Sequence, residues 1–417
     1  MYVLKGIDAD DQQQRDDEAT KTVRDILAEI DPTTEILHID EDTPSAGEWE
    51  ELGRHFTHLR ALHVDTGFCE YWIDENFPLH WPLELLVIAS ACGETITSPA
   101  ILEGRIEHLV LLLTCGLRFE GPTSREMMKS AESIFIARDD DKEDAGKEGD
   151  SEDSGGLKIY SIPDEWRKWH HQKYGSQQII DLFSGADDTS GPPSKMTKLE
   201  IIGNDAIETL TRMALAHFHL LTGLSSLTLC SIHDNDLAIL PGDYFATFLP
   251  MLSRLKELRL TVDDNTLSAL HQAISKTRRS GSGSGTHDND TKSHHFGFLH
   301  DCLPPNLEAL HFRGPVTLAP KLGAFTAALS DPACLPSLRR MSFVLDLPCR
   351  VLGNGNLTAP LKQLRAARRA CRTLWDAAAR RGVVVEDRWW DPWVEVYKLP
   401  HIPAVDGRWE ECGLDDD

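Results

Sequence analysis

Leu59-Arg60-Ala61-Leu62-His63-Val64 and Leu83-Glu84-Leu85-Leu86-Val87-Ile88 share one six-residue frame, with apolar residues at the first, fourth and sixth positions. The frame returns clearly at 106–111, 224–229, 255–260 and 307–312. Successive side chains of a β-strand point to opposite faces, so the fourth and sixth positions share one face and the third, fifth and seventh share the other. Short parallel strands stacked in register would merge the apolar positions into one core. Frames begin near Thr34, Leu59, Leu83, Ile106, Ala131, Leu157, Met196, Leu224, Leu255, Leu307 and Leu338, the first of them opening on a polar residue. The first five steps are 25, 24, 23, 25 and 26 residues, and the later ones are 39, 28, 31, 52 and 31. A near-constant step of this length marks stacked repeats. The longer later steps are expected to hold helices and insertions.

Composition bounds what such a chain does. Its 417 residues exceed a usual single core, but stacked repeats extend a core one unit at a time. The formal net charge of -25 argues against attachment to nucleic acid or to an anionic membrane surface. Nine cysteines without short regular spacing predict reduced thiols and a cytoplasmic or nuclear setting. The first residues carry no signal-peptide apolar stretch, and no apolar run approaches the roughly 20 residues that span a bilayer.

Connectors with a 3.6-residue apolar period predict helices over 206–221, over 266–274, and over a stretch following Pro360 that carries Leu361, Leu364, Ala367, Cys371, Leu374 and Ala378. Gly382 is read as the stop of that last helix and 382–385 as a final strand. Three insertions are expected to stay disordered: the acidic 139–156, the Gly/Pro/Ser-rich 185–195, and 278–295 with its Gly281-Ser282-Gly283-Ser284-Gly285 spacer. The resulting division is an acidic leader or cap over 1–33, the repeat region over 34–387, and a cap with an acidic tail over 388–417. A division into two subdomains at the second insertion is the alternative.

With its frames and spacing, the chain resembles divergent leucine-rich-repeat proteins, in particular the F-box-associated ones common in filamentous fungi. That resemblance covers roughly residues 34–387. It implies an α/β leucine-rich-repeat-like solenoid with a curved parallel sheet, irregular repeats and disordered loop insertions. The asparagine that the family places three residues after the frame stands here only at Asn204; elsewhere its place holds Gly67, Ala91, Thr114, Ile232, Asp263, Pro315 or Asp346. An F-box needs a compact helical leader with a Leu-Pro start. Residues 23–30 supply one short helix, so an F-box is degraded or absent.

Motifs of catalysis are not met. The chain has no Gly-x-x-x-x-Gly-Lys-Ser/Thr loop and no nucleophile elbow outside the spacer, and Gly353-Asn354-Gly355 lacks the third glycine of a dinucleotide-binding turn. No cofactor is expected. His287, His294, His295, His300 and Cys302 are read as loop residues rather than zinc ligands. The segment 166–174 mixes bases with five aromatic or imidazole residues, and Lys362, Arg365, Arg368, Arg369, Arg372, Arg380 and Arg381 form a basic helix face. Both are read as solvated or packed faces, with single-stranded nucleic-acid binding the alternative for the first and grip on an acidic surface the alternative for the second. Trp389, Trp390 and Trp393 are expected to cap the terminal core.

The expected binding surface is the face opposite the core. Early repeats place Leu85, Val87 and Ala89, then His108, Val110 and Leu112, then Ser133, Phe135 and Ala137 on it. Late repeats place Glu257, Arg259 and Thr261, then Ala309, His311 and Arg313, then Arg340, Ser342 and Val344 there. An apolar half with Leu85, Val87, Val110 and Phe135 thus gives way to a basic strip of Arg259, His311, Arg313 and Arg340. Either the 166–174 segment covers the apolar half or that half is a ligand groove. The expectation is a monomeric, non-catalytic module for an unknown protein partner. A substrate-recognition subunit of a ubiquitin ligase and an enzyme with an unrecognised site are the alternatives.

Overall fold

The computed structural model describes residues 2–5, 26–40, 44–67, 77–93, 95–114, 116–120, 194–203, 205–231, 248–262, 303–347 and 361–386. Eleven strands form one sheet: β1 (Tyr2–Lys5), β2 (Ile36–Asp40), β3 (Ala61–Asp65), β4 (Leu85–Ala89), β6 (His108–Thr114), β8 (Lys198–Gly203), β9 (Ser226–Ser231), β10 (Glu257–Thr261), β11 (Ala309–Pro315), β12 (Arg340–Leu347) and β13 (Val384–Glu386). Within the sheet each strand is hydrogen-bonded to the next in chain order, and every pairing is parallel. A separate pair joins β5 (Thr95–Ile96) to β7 (Arg118–Phe119), also in parallel. The protein is therefore an α/β chain with a large parallel sheet and few helices among its described residues.

Register follows the frame. Leu37, Leu62, Leu86, Leu109, Leu199, Leu227, Leu258, Leu310 and Met341 stand side by side across the sheet and are all buried. The sixth position gives a second buried row from Ile39 through Ile201 to Phe312 and Phe343, whose rings stack at 4.5 Å. The first position is buried as well, from Leu59 to Leu338. Between these apolar anchors, the second residue of each frame links one strand to the next through its carbonyl. Glu35 O accepts from the N–H groups of Arg60 and Ala61, and Ser225 O, Lys256 O and Glu308 O each accept two N–H groups from the following strand in the same way. This repeated bond explains why the frame's spacing varies while its register does not.

Helices pack on the core face. In α1 (Ala46–His55) the Glu48 carboxylate accepts from the Ser45 N–H at 2.7 Å, closing the first turn, and Trp49 and Leu52 are buried. A short turn of helix, α2 (Pro99–Leu102), follows β5. The predicted helix over 206–221 is α3 (Ala206–His217), which continues as a 3-10 turn over Phe218–Leu220. After β11 come a 3-10 stretch (Val316–Lys321) and α4 (Leu322–Leu329), which buries Leu322, Phe325 and Leu329. The last predicted helix is α5 (Leu361–Arg380), with Leu364, Ala367, Cys371, Leu374 and Ala378 buried. Gly382, at φ 78°, ends it, and β13 follows where a final strand was expected.

Two expectations need correction. Residues 1–33 are not only a leader, because Tyr2–Lys5 forms the edge strand of the sheet against β2. That strand lies 35 residues ahead of its partner in register, Tyr2 opposite Leu37. Second, β6 pairs directly with β8, although frames at Ala131 and Leu157 were expected between them. Those residues lie outside the described ones. So do Asn204, the 266–274 helix, the 166–174 segment, the insertions at 139–156 and 278–295, all of 185–195 but its last two residues, and the cap at 388–417.

Candidate functional site

Alternation along the strands places three rows of side chains on the face away from the core. The central row runs His38, His63, Val87, Val110, Glu200, Thr228, Arg259, His311, Ser342 and Glu386, each in register with its neighbour. Residues far apart in sequence are brought within one inter-strand spacing of each other by this ladder. His38 and His63 stack with ring centroids 4.1 Å apart.

The apolar half is closed rather than open. Val87, Ala89, Val110, Leu112, Ile202 and Cys230 form a second buried cluster on this face, with Leu85 and Leu113 partly buried against it. Val110 is 2% exposed and Val87 7%. For Leu85, Val87 and Val110 a covered face and an open groove were both left possible; Val87 and Val110 are buried, and Leu85 is partly buried against them. Phe135 lies outside the described residues.

Glu200 stands next to that cluster and was not singled out from the sequence. Its Oε1 accepts from His108 Nε2 at 2.9 Å and pairs with Lys198 Nζ at 2.7 Å, while Oε2 is buried without a hydrogen-bond partner. Burial pushes its carboxyl up, but the hydrogen bonds and charges of His108 and Lys198 outweigh this and hold it below the usual carboxylate range. The signal available beforehand was a glutamate at the fifth position of the frame 196–201, where the two preceding strands carry valine.

The late strip is arranged in pairs. Glu257 Oε1 accepts from both Arg259 Nε and Nη2 at 2.7 Å, and His311 Nε2 lies 3.8 Å from the same oxygen. The expected strip of four accessible cations is thus partly neutralised from within. Arg313 and His311 are both 4% exposed, Arg259 is half-buried, and Arg340 is exposed. Burial lowers the His311 pKa, and the neighbouring Arg259 charge lowers it further, against the opposing pull of Glu257 and Glu386. This end of the face therefore offers one accessible guanidinium, Arg340, beside a built carboxylate–guanidinium pair.

A shallow cleft of about 440 Å³ opens at the N-terminal ends of β9 to β12, lined by Ser225, Arg254, Lys256, Asn306, Glu308 and Ser337 among others. Lys256 and Glu308 pair across it at 3.1 Å. Among the described residues, no three His, Cys, Asp or Glu side chains gather as metal ligands, and no helix is long and apolar enough to cross a membrane. The histidines around residue 290 with Cys302 lie outside the described residues. What fold and face define is an α/β protein whose parallel sheet carries a buried apolar half and a charged half on its outer side. Comparison with models of known protein families finds no match, and a search of curated proteins finds no relative.

Proposed function

We propose that this chain is a leucine-rich-repeat-like solenoid that serves as a non-catalytic protein-interaction module. The observation that supports this reading most is the in-register ladder. Eleven parallel strands follow one another in chain order, and those from β2 to β12 each add the same frame of core residues and one more step of the outer face. A structure built in this way contributes an extended surface rather than an enclosed catalytic pocket. On that surface the accessible chemistry is at the late end, where Arg340 is exposed and Arg259 is held by Glu257. A planar guanidinium captures carboxylate or phosphate on a partner through two parallel hydrogen bonds.

Affinity capture from native cells with the full chain tests the reading. Arg340→Glu is expected to weaken capture of the main partner by about tenfold or more, a change of ~1.4 kcal/mol, while the thermal midpoint stays within a degree or two of wild type. Undiminished capture by a folded Arg259→Glu/Arg340→Glu double variant overturns it. A large fall in stability confined to the double variant assigns Arg259 to its internal pair with Glu257.

A further inference from the structure

The core side of the sheet presents a different surface. α5 carries Lys362, Arg365, Arg368, Arg369, Arg372 and Arg380 against the single acid Asp376, a net charge of +5 over 20 residues. The whole chain carries -25, so the other 397 residues carry -30. Lys362, Arg365, Arg369, Arg372, Asp376 and Arg380 follow one another at steps of three or four residues, and the span from 362 to 380 equals five helical turns. They form one straight stripe about 27 Å long at ~1.5 Å of rise per residue. All six are exposed, because the opposite side of the helix is buried through Leu364, Ala367, Cys371, Leu374 and Ala378 and through the Trp375 Nε1 bond to Phe343 O at 3.0 Å.

Four of these cations have no acidic partner among the described residues. Among the described residues, no ion pair involves Lys362, Arg365, Arg369 or Arg380. Like charges three and four residues apart repel and oppose helix formation, so 362/365, 365/369 and 369/372 each work against the element that displays them. Packing on the core holds the helix in spite of that repulsion. The repulsion is relieved when anionic groups settle between the cations.

We propose that the α5 stripe is a docking surface for an acidic polypeptide segment of a partner protein. Steps of three or four residues along the helix are about 4.5–6 Å, near the ~6.6 Å between alternate residues of an extended chain, so a strand-like peptide with frequent Asp or Glu matches the stripe charge for charge. A nucleic acid, with a phosphate at every step of its backbone, is disfavoured by Asp376, which interrupts the stripe before Arg380. A membrane surface is disfavoured because the apolar side of α5 is committed to the core and has nothing to insert. This surface lies on the other side of the sheet from Arg340, and its test is independent of that residue.

The test uses the full chain and a fluorescein-labelled decaglutamate peptide, read by anisotropy at several salt concentrations. Wild type is expected to bind with an affinity that falls as salt rises, and Arg365→Glu/Arg369→Glu to bind at least ~10-fold more weakly with an unchanged thermal midpoint. Arg365→Gln/Arg369→Gln gives a smaller loss in the same direction and decides the matter if the reversed variant does not fold. Failure of wild type to bind the peptide overturns the proposal, as does equal binding by a folded double variant. Tighter binding of a ten-nucleotide single strand or of phosphatidylserine vesicles, lost on the same substitutions, overturns it in favour of a phosphate-bearing partner.

Discussion

Glu200 sits between Val110 and Thr228 on neighbouring strands, 2% exposed, and remains ionised because His108 and Lys198 share its Oε1. An unpaired carboxylate in that place would neutralise by taking up a proton; the contacts from His108 on the neighbouring strand and Lys198 on its own strand prevent it. His311 shows the opposite effect on the same row, since burial and Arg259 lower its pKa from the ordinary 6.5. Its neutral form is favoured in the folded chain, so the unfolded chain binds the proton more readily. The stability that follows is complete above about pH 6.5 and is lost as the pH falls below that value toward the lowered folded pKa. Urea midpoints are therefore expected to drop on going from pH 7.5 to 5.5, and to drop less in His311→Gln. Glu200 is held below the usual carboxylate range, outside this window, and does not contribute to the difference. Equal slopes for wild type and variant would show that His311 does not bear the lowered pKa.

Elements are held by close approaches that a frame of apolar residues does not announce. β6 and β8 change register between Leu112 and Thr114, and Leu113 there adopts φ 54°. Gly203 faces this irregularity; a Cβ on it would stand 2.3 Å from Thr114 O, a backbone atom that cannot swing aside. Gly203→Ala is expected to destabilise by about 1–3 kcal/mol, the range for overpacking a well-filled site. Chemical denaturation checks it, and a midpoint equal to wild type would mean that the two strands part more easily there than their register implies. Ser90, at φ 60°, makes the equivalent turn after β4, in the position of its frame that Leu113 occupies in the next.

Across the whole molecule, neighbouring strands pair in register regardless of how much chain separates them. β10 and β11 align Leu258 with Leu310 and Leu260 with Phe312, although 47 residues intervene between Thr261 and Ala309. Loop closure costs grow only with the logarithm of length, at ~0.6 kcal/mol per doubling. Deleting 281–294 is thus expected to change unfolding free energy by less than about 1 kcal/mol, measured by urea denaturation at constant pH. A collapse of cooperativity on deletion would show that this insertion belongs to the packed structure.

The apolar frame was legible from residue types alone, because alternation within each frame puts Leu62, Leu86, Leu109, Leu227, Leu258 and Leu310 onto one face, and a step near 25 residues marks the early frames. Helices α3 and α5 were legible for the same reason, through a 3.6-residue period and, for α5, a glycine stop. α1 carried a legible signal that went unread, the Ser45-x-x-Glu48 pair ahead of Trp49. The sequence by itself thus determined the core and most of its strands, since burial of apolar surface depends on pattern more than on partners. Only the tertiary structure decided that β1 joins the edge, that β6 meets β8, that Val87 and Val110 are covered, and that Arg259 is answered by Glu257. Those outcomes depend on which distant groups come within a few ångströms, and charge pairing and burial at that range are properties of the assembled sheet rather than of any one segment.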